Sequence, residues 1–279
     1  MARSTSLAGI ASLVLVAALA GCATPAPEPA VEPPHSVRAI DPEIAAALIE
    51  GHNSRVAMLR QVHASGVLEF RWVDEEGAEH FEPQVNAKLW IRAPRDTALR
   101  AEKLGEVLFW VGSDAERYWL FDFVSDERGL HVGRHEEAPS EGGEGLLLVR
   151  PLALLDLLGL TPIAESGATV TSRGAGDPWQ VTAPGAGGPM RIFFSPSTRL
   201  PERVESLNAD GSVALASTLR RYASVDVSGV AVAARPRLAT LIDIADPEET
   251  ISVKLALDAP DDETRDRLFD LDTLRQHLQ

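Results

Sequence analysis

Cysteine is almost absent from this chain: its 279 residues hold one, Cys22. No disulfide can close within it, so its fold must rest on a hydrophobic core. Basic charge is also short. Lysines and arginines total 26 against 41 aspartates and glutamates, a formal net charge of −15. Such a chain lacks the basic footprint with which nucleic acid is held. The same surplus disfavours attachment to an anionic lipid surface by charge alone. Catalytic signatures are missing too. There is no G-x-S-x-G elbow and no glycine-rich phosphate loop with a lysine. The glycines at 174–176 and 185–188 lie in Pro-flanked loops and read as turns. His131 and His135, with Glu136 and Glu137, are the one weak metal candidate. Gly133 lies between the two histidines and the segment reads as strand then loop, so the ligands would point apart. Asp122, Asp126 and Glu127 read as solvated carboxylates. The expectation is a protein that is not an enzyme and holds no metal or cofactor.

Long apolar runs are confined to two places. The first, Leu7 to Ala20, follows Arg3 and ends in Leu19-Ala20-Gly21-Cys22. It is too short for a comfortable membrane span and has the shape of an export leader. Its end resembles the bacterial lipobox, at which the cysteine is acylated and the leader cut before it. The alternative is an ordinary secretory leader with an incidental cysteine. The resemblance implies lipidation at Cys22, where two or three acyl chains, at roughly 0.8 kcal/mol per buried methylene, anchor far more firmly than one. Residue 23 is alanine, not the aspartate that marks inner-membrane retention in enterobacteria. By resemblance the destination is the outer membrane, facing the periplasm. Residues 1–21 then read as signal peptide and 22–40 as lipidated cysteine and tether. The tether, Ala23 to Pro34, has five prolines in twelve residues, a composition that favours extended polyproline II. Residues 41–279 read as a single domain.

Within that domain period-two patterning dominates. Asn86 to Phe123 reads as four short strands and carries three of the five tryptophans. Ala87, Leu89 and Ile91 alternate with Lys88 and Arg92. Val107, Phe109 and Val111 share one face, with Leu108 and Trp110 on the other. Upstream, Asp41-Pro42 starts an amphipathic helix, or two short ones, carrying Ile44, Leu48, Ile49, Val56, Leu59 and Val62, with a break expected at Gly51 and Asn53. Val67 to Val73 is the first strand, with His80 to Ile91 as its return. Residues 136–145 read as an exposed acidic loop. The second apolar run, Leu146 to Leu160, reads as a helix from Pro151 that is apolar nearly all round, and Gly159 fits its C-cap. Strands resume from Thr169. Arg203 to Tyr222 reads as a hairpin about Asp210-Gly211, Ile251 to Leu257 as a further strand, and a last short helix follows from Asp262.

Several motifs follow in order: G-x-L-x-F (Gly66, Leu68, Phe70), A-x-L-W-x-R-x-P (Ala87 to Pro94), G-S-D-x-x-x-Y-W (Gly112 to Trp119), L-L-x-L-L-G-L (Leu154 to Leu160), L-P-x-R-V (Leu200 to Val204) and D-G-S-V (Asp210 to Val213). Together with the lipobox they resemble the LolA/LolB-like superfamily of periplasmic lipoprotein carriers and outer-membrane lipoprotein receptors. The resemblance implies a mainly β, α+β fold: an unclosed, curved antiparallel β-barrel of about eleven strands with an α-helical lid. It also implies a cavity that holds lipoprotein acyl chains or another hydrophobic ligand. Two departures stand out, the acidic loop and a long tail after Tyr222. No residue matches the receptor's membrane-insertion loop. The candidate cavity walls are Leu68, Phe70, Trp72, Leu89, Ile91, Val107, Phe109 and Val111, with Leu154, Leu155 and Leu158 from the lid. These walls offer no charge to grip a head group. The competing expectation is a structural or assembly lipoprotein of the envelope with a filled core.

Overall fold

The computed structural model describes residues 38–279 except 75, 124–128, 136–150, 175, 264 and 279. The leader, Cys22, most of the tether and the acidic loop lie outside the described residues. The alternating segments fold into antiparallel strands. One meander contains β2 (Gln61–Val73), β3 (Glu79–Arg92), β4 (Asp96–Lys103), β5 (Glu106–Ser113), β6 (Arg117–Asp122) and β7 (Gly129–Arg134), after a two-residue β1 (Arg38–Ala39). A second contains β8 (Thr169–Ser172), β9 (Trp179–Pro184), β10 (Pro189–Phe194), β11 (Pro201–Leu207), β12 (Val213–Ser224), β13 (Arg237–Ala245) and β14 (Ile251–Asp261). β14 pairs with β2 and β1 with β8, so both meanders join in one sheet of 14 strands. The edges of that sheet, among the described residues, are β1 and β7. The strand count exceeds the expected eleven. The tail after Tyr222 is no appendage: β13 and β14 sit mid-sheet between β12 and β2.

The sheet curls into a trough. The short helix α2 (Pro151–Leu157) touches β11 on one side and β4 and β5 on the other. β12, β13, β14, β2 and β3 lie between those contacts, so the sheet must wrap the helix. Bulges help the turn, since an extra residue bends a strand and increases its twist. The bulge between Leu68 and Phe70 contains Pro83 and Gln84 of β3. A proline is tolerated there because a bulge leaves residues out of the ladder. Gly66 marks the tightest approach. A Cβ at this position would lie 2.0 Å from the Ala256 carbonyl oxygen.

The helix α1 (Pro42–Met58) starts where the sequence signals, with the Asp41 side chain accepting from the Glu43 amide at 2.8 Å. It does not break at Gly51 or Asn53. Leu48, Ile49 and Val56 enter the core, whereas Ile44 is exposed. At the other end, a 3-10 turn (Asp266–Phe269) and α3 (Leu271–Leu278) cover the outer face of β3 to β6. Phe269 packs with Trp90 and Ala98, and Leu271 and Leu274 pack with Trp110, Trp119 and Phe121. This second, outer core explains why β5 and β6 are apolar on both faces. Among the described residues no helix is long and apolar enough to cross a membrane.

Candidate functional site

The trough is the candidate site. Cross-strand neighbours share a face, and the registers carry one apolar face from strand to strand. Leu68 lies between Leu255 and Val85, Leu89 between Ala64 and Leu99, and Val111 between Leu99 and Leu120. Leu68, Phe70, Leu89, Ile91 and Phe109 are buried in one cluster with Leu154, Leu155 and Leu158. Trp72 and Val111 are half-buried against it. Val107 is not brought there. The bulge between Ala101 and Glu102 pairs Ala101 with Phe109 but Glu102 with Val107. The additional residue, Leu108, reverses the face, so Val107 points outward with Glu102 and Leu108 packs on the core instead.

Among the described residues, α2 is anchored at its C-terminal end, which a freely moving lid would not be. Leucines 152, 154, 155 and 157 of the helix, and Leu158 just beyond it, are between 0% and 7% exposed. All the polar contacts described for it gather at its C-terminal turn and the loop beyond. The Asp156 carboxylate accepts from the Ala186 and Gly187 amides at 2.8 and 2.7 Å and from the Thr161 hydroxyl. Burial pushes its carboxyl above the usual range, and those three donors pull the other way. Ser217 Oγ donates to the Leu157 carbonyl at 2.6 Å. Gly187 has to be small, because a Cβ would come within 2.7 Å of the Ala153 backbone.

The middle of α1 supplies the rest of the clamp. Asn53 donates to the Ile163 carbonyl at 2.9 Å and accepts from the Ile163 amide at 2.8 Å. His52 Nε2 lies 2.9 Å from the Thr161 carbonyl oxygen, so that nitrogen carries the proton. Burial, reinforced by the Arg55 charge, holds the ring down to about 3, so it is neutral. Arg55 donates to the carbonyls of Gly159 and, at 3.1 Å, Arg237. These long-range bonds replace the sequence-level expectation of a helix break. His52, Asn53 and Arg55, within one turn, fix the segment that follows α2.

The metal candidate is not assembled. His131 lies in β7 opposite Leu120, while His135 Nε2 approaches the Asp114 carbonyl oxygen at 3.0 Å. Glu136 and Glu137 lie outside the described residues. A different trio, His63, Asp261 and Glu263, does bring three potential ligand atoms within 4.8 Å of one another. Its oxygens are already engaged. Asp261 accepts from the Glu263 amide at 2.9 Å, and Glu263 pairs with Arg265 at 2.9 Å. The trio therefore reads as a strand-end cap.

No family model matches the chain, and no curated protein matches it. Solved structures do. A DUF1329 family protein from Desulfovibrio piger superposes with a TM-score of 0.53 at 10% identity, covering 84% of this chain and all of that one. Two weaker superpositions are with a LolA superfamily protein and with a lipoprotein-sorting protein domain. One, from Nitrosomonas europaea, gives a TM-score of 0.46 at 11% identity over 80% of this chain and 98% of its own. A putative outer membrane lipoprotein-sorting protein domain from Vibrio parahaemolyticus gives 0.47 at 11% identity over 84% and 98%. At such identities the likeness is one of fold alone.

Proposed function

We propose that this is a lipid-anchored protein of the bacterial cell envelope that takes an acyl chain, or another apolar ligand, into its LolA-like trough. It serves lipoprotein localisation or lipid transport and carries out no catalysis. Acylated Cys22 holds it to the outer membrane on the periplasmic side, and the proline-rich tether spaces the domain from the bilayer. The observation that carries the reading is the occupant of the trough. A seven-residue helix, apolar except for the anchored Asp156, lies on an apolar concave face, and its described polar contacts hold it at one end. Apolar burial is non-directional. An acyl chain therefore satisfies the same walls as the α2 leucines and can take their place.

The near-complete burial of those leucines favours a second reading, a filled-core structural lipoprotein. Binding of a fluorescent fatty acid to the chain lacking residues 1–22 separates the two. Saturable binding supports the trough as a ligand site. No binding leaves the filled core.

A further inference from the structure

A second cleft, of about 280 Å³, lies outside the trough, between α1 and the turns that lead into β11 and β13. Its lining includes four arginines, Arg55, Arg199, Arg235 and Arg237, and no carboxylate. This is notable on a chain with a net charge of −15. Arg55 comes from α1, Arg199 from the turn between β10 and β11, and the other two from the entry to β13. Gathering like charges from three segments costs free energy unless an opposite charge offsets it. Of the four, only Arg235 has an acidic partner among the described residues, Asp226 at 2.6 Å. Arg237 donates to the Tyr222 carbonyl at 2.9 Å, and Arg199 lies over the Trp179 ring at 6.0 Å. Arg55 is the unusual one. It is 8% exposed, and its buried Nε has no hydrogen-bond partner. A buried donor left unmet is costly, so such groups call for an explanation.

We propose that this cleft is a phosphate-binding site, with Arg199, Arg235 and Arg237 around it and the buried charge of Arg55 in its wall. Guanidinium forks match the oxygens of phosphate and carboxylate alike. Three uncompensated charges select the dianion over a singly charged carboxylate. The volume lies just below the ~300 Å³ at which pockets for whole small-molecule ligands begin. It suits a free phosphate or a lipid's phosphate head, with any acyl chain left outside. The apolar trough walls gave no grip for a head group. This site would supply one elsewhere, and it stands or falls independently of acyl-chain binding.

The test uses the full chain purified in detergent. Calorimetric titrations at low ionic strength use inorganic phosphate alone and, separately, dihexanoyl phosphatidic acid below its micelle concentration. At least one probe should bind saturably. Arg199→Gln with Arg237→Gln, both at exposed positions, should weaken it by about tenfold or more. Arg55→Met should weaken it too; if that variant fails to fold, the surface pair still decides. Phosphatidate bound more tightly than phosphate, with the same arginine dependence, identifies a lipid head-group site. Equal affinities identify a free-phosphate site. No saturable binding of either probe, or unchanged affinity in the Arg199/Arg237 double variant, overturns the proposal.

Discussion

Acid should loosen the clamp on α2, and His52 sets the size of the effect. In the unfolded chain this imidazole titrates at its ordinary 6.5; in the fold, burial and the neighbouring Arg55 hold it down to about 3. The unfolded chain therefore binds the proton first. The stabilising contribution of the neutral ring is complete above pH 6.5 and is lost progressively as pH falls from there towards 3. At pH 5 the folded ring is still neutral, so the loss follows from the unfolded titration alone and comes to about 2 kcal/mol relative to pH 8. Asp156 works with the opposite sign. Its raised carboxyl keeps its proton longer in the fold than in the unfolded chain, so it detracts from stability as pH rises through its folded value. Comparing the wild type with His52→Gln cancels Asp156 and every other titrating group. The assay is urea denaturation of the chain lacking residues 1–22, at pH 8 and pH 5. The wild type should lose about 2 kcal/mol more than the variant over that interval. Equal losses in the two proteins would refute the placement of a neutral His52 against the Thr161 carbonyl.

Cys22→Ala should abolish incorporation of labelled palmitate and release the protein from the membrane fraction; a variant that is still labelled rules out the lipobox. Leu154→Asp with Leu158→Asp removes two buried leucines, each contributing roughly 1.5–3 kcal/mol. If α2 yields its place to ligand, circular dichroism should still show a folded sheet while fatty-acid binding changes. A double variant that cannot fold marks α2 as obligatory core. Gly66→Ala sets a methyl against the Ala256 carbonyl. It should cost about 2 kcal/mol or more in a denaturation midpoint, and a neutral effect would contradict the β2–β14 register.

Much of the β architecture could be read from the sequence because a half-buried strand writes its period into the residues. β4 and β6, and the face shared by Leu68, Leu89 and Phe109, follow from that alternation and from the turns at Pro94 and Gly105, whereas Gly112 and Ser113, which have the composition of a turn, lie within β5. Bulges were not legible. One extra residue changes no composition but turns every later side chain over, which is how Val107 and Leu108 came to be exchanged. β13 was missed because buried Leu238 and Ala239 are adjacent, which blurs the period of two. The clamp was missed for another reason. His52, Asn53 and Arg55 find partners more than a hundred residues away, at Gly159, Thr161, Ile163 and Arg237. A local pattern cannot reveal such pairs. The double-faced apolarity of Trp110 and Trp119 was a usable signal. It pointed to a second layer on the outside of the sheet, which α3 provides.

Acyl-chain binding is tested most directly by displacement of a fluorescent fatty acid from the chain lacking residues 1–22 by fatty acids of eight to eighteen carbons. An apolar trough predicts that each methylene adds about 0.8 kcal/mol, about fourfold in affinity, until the trough is full. Phe109→Ala, at a buried wall position, should weaken every member of the series. Affinity that is flat with chain length, or no binding at any length, would contradict the account and leave a filled-core envelope lipoprotein in its place.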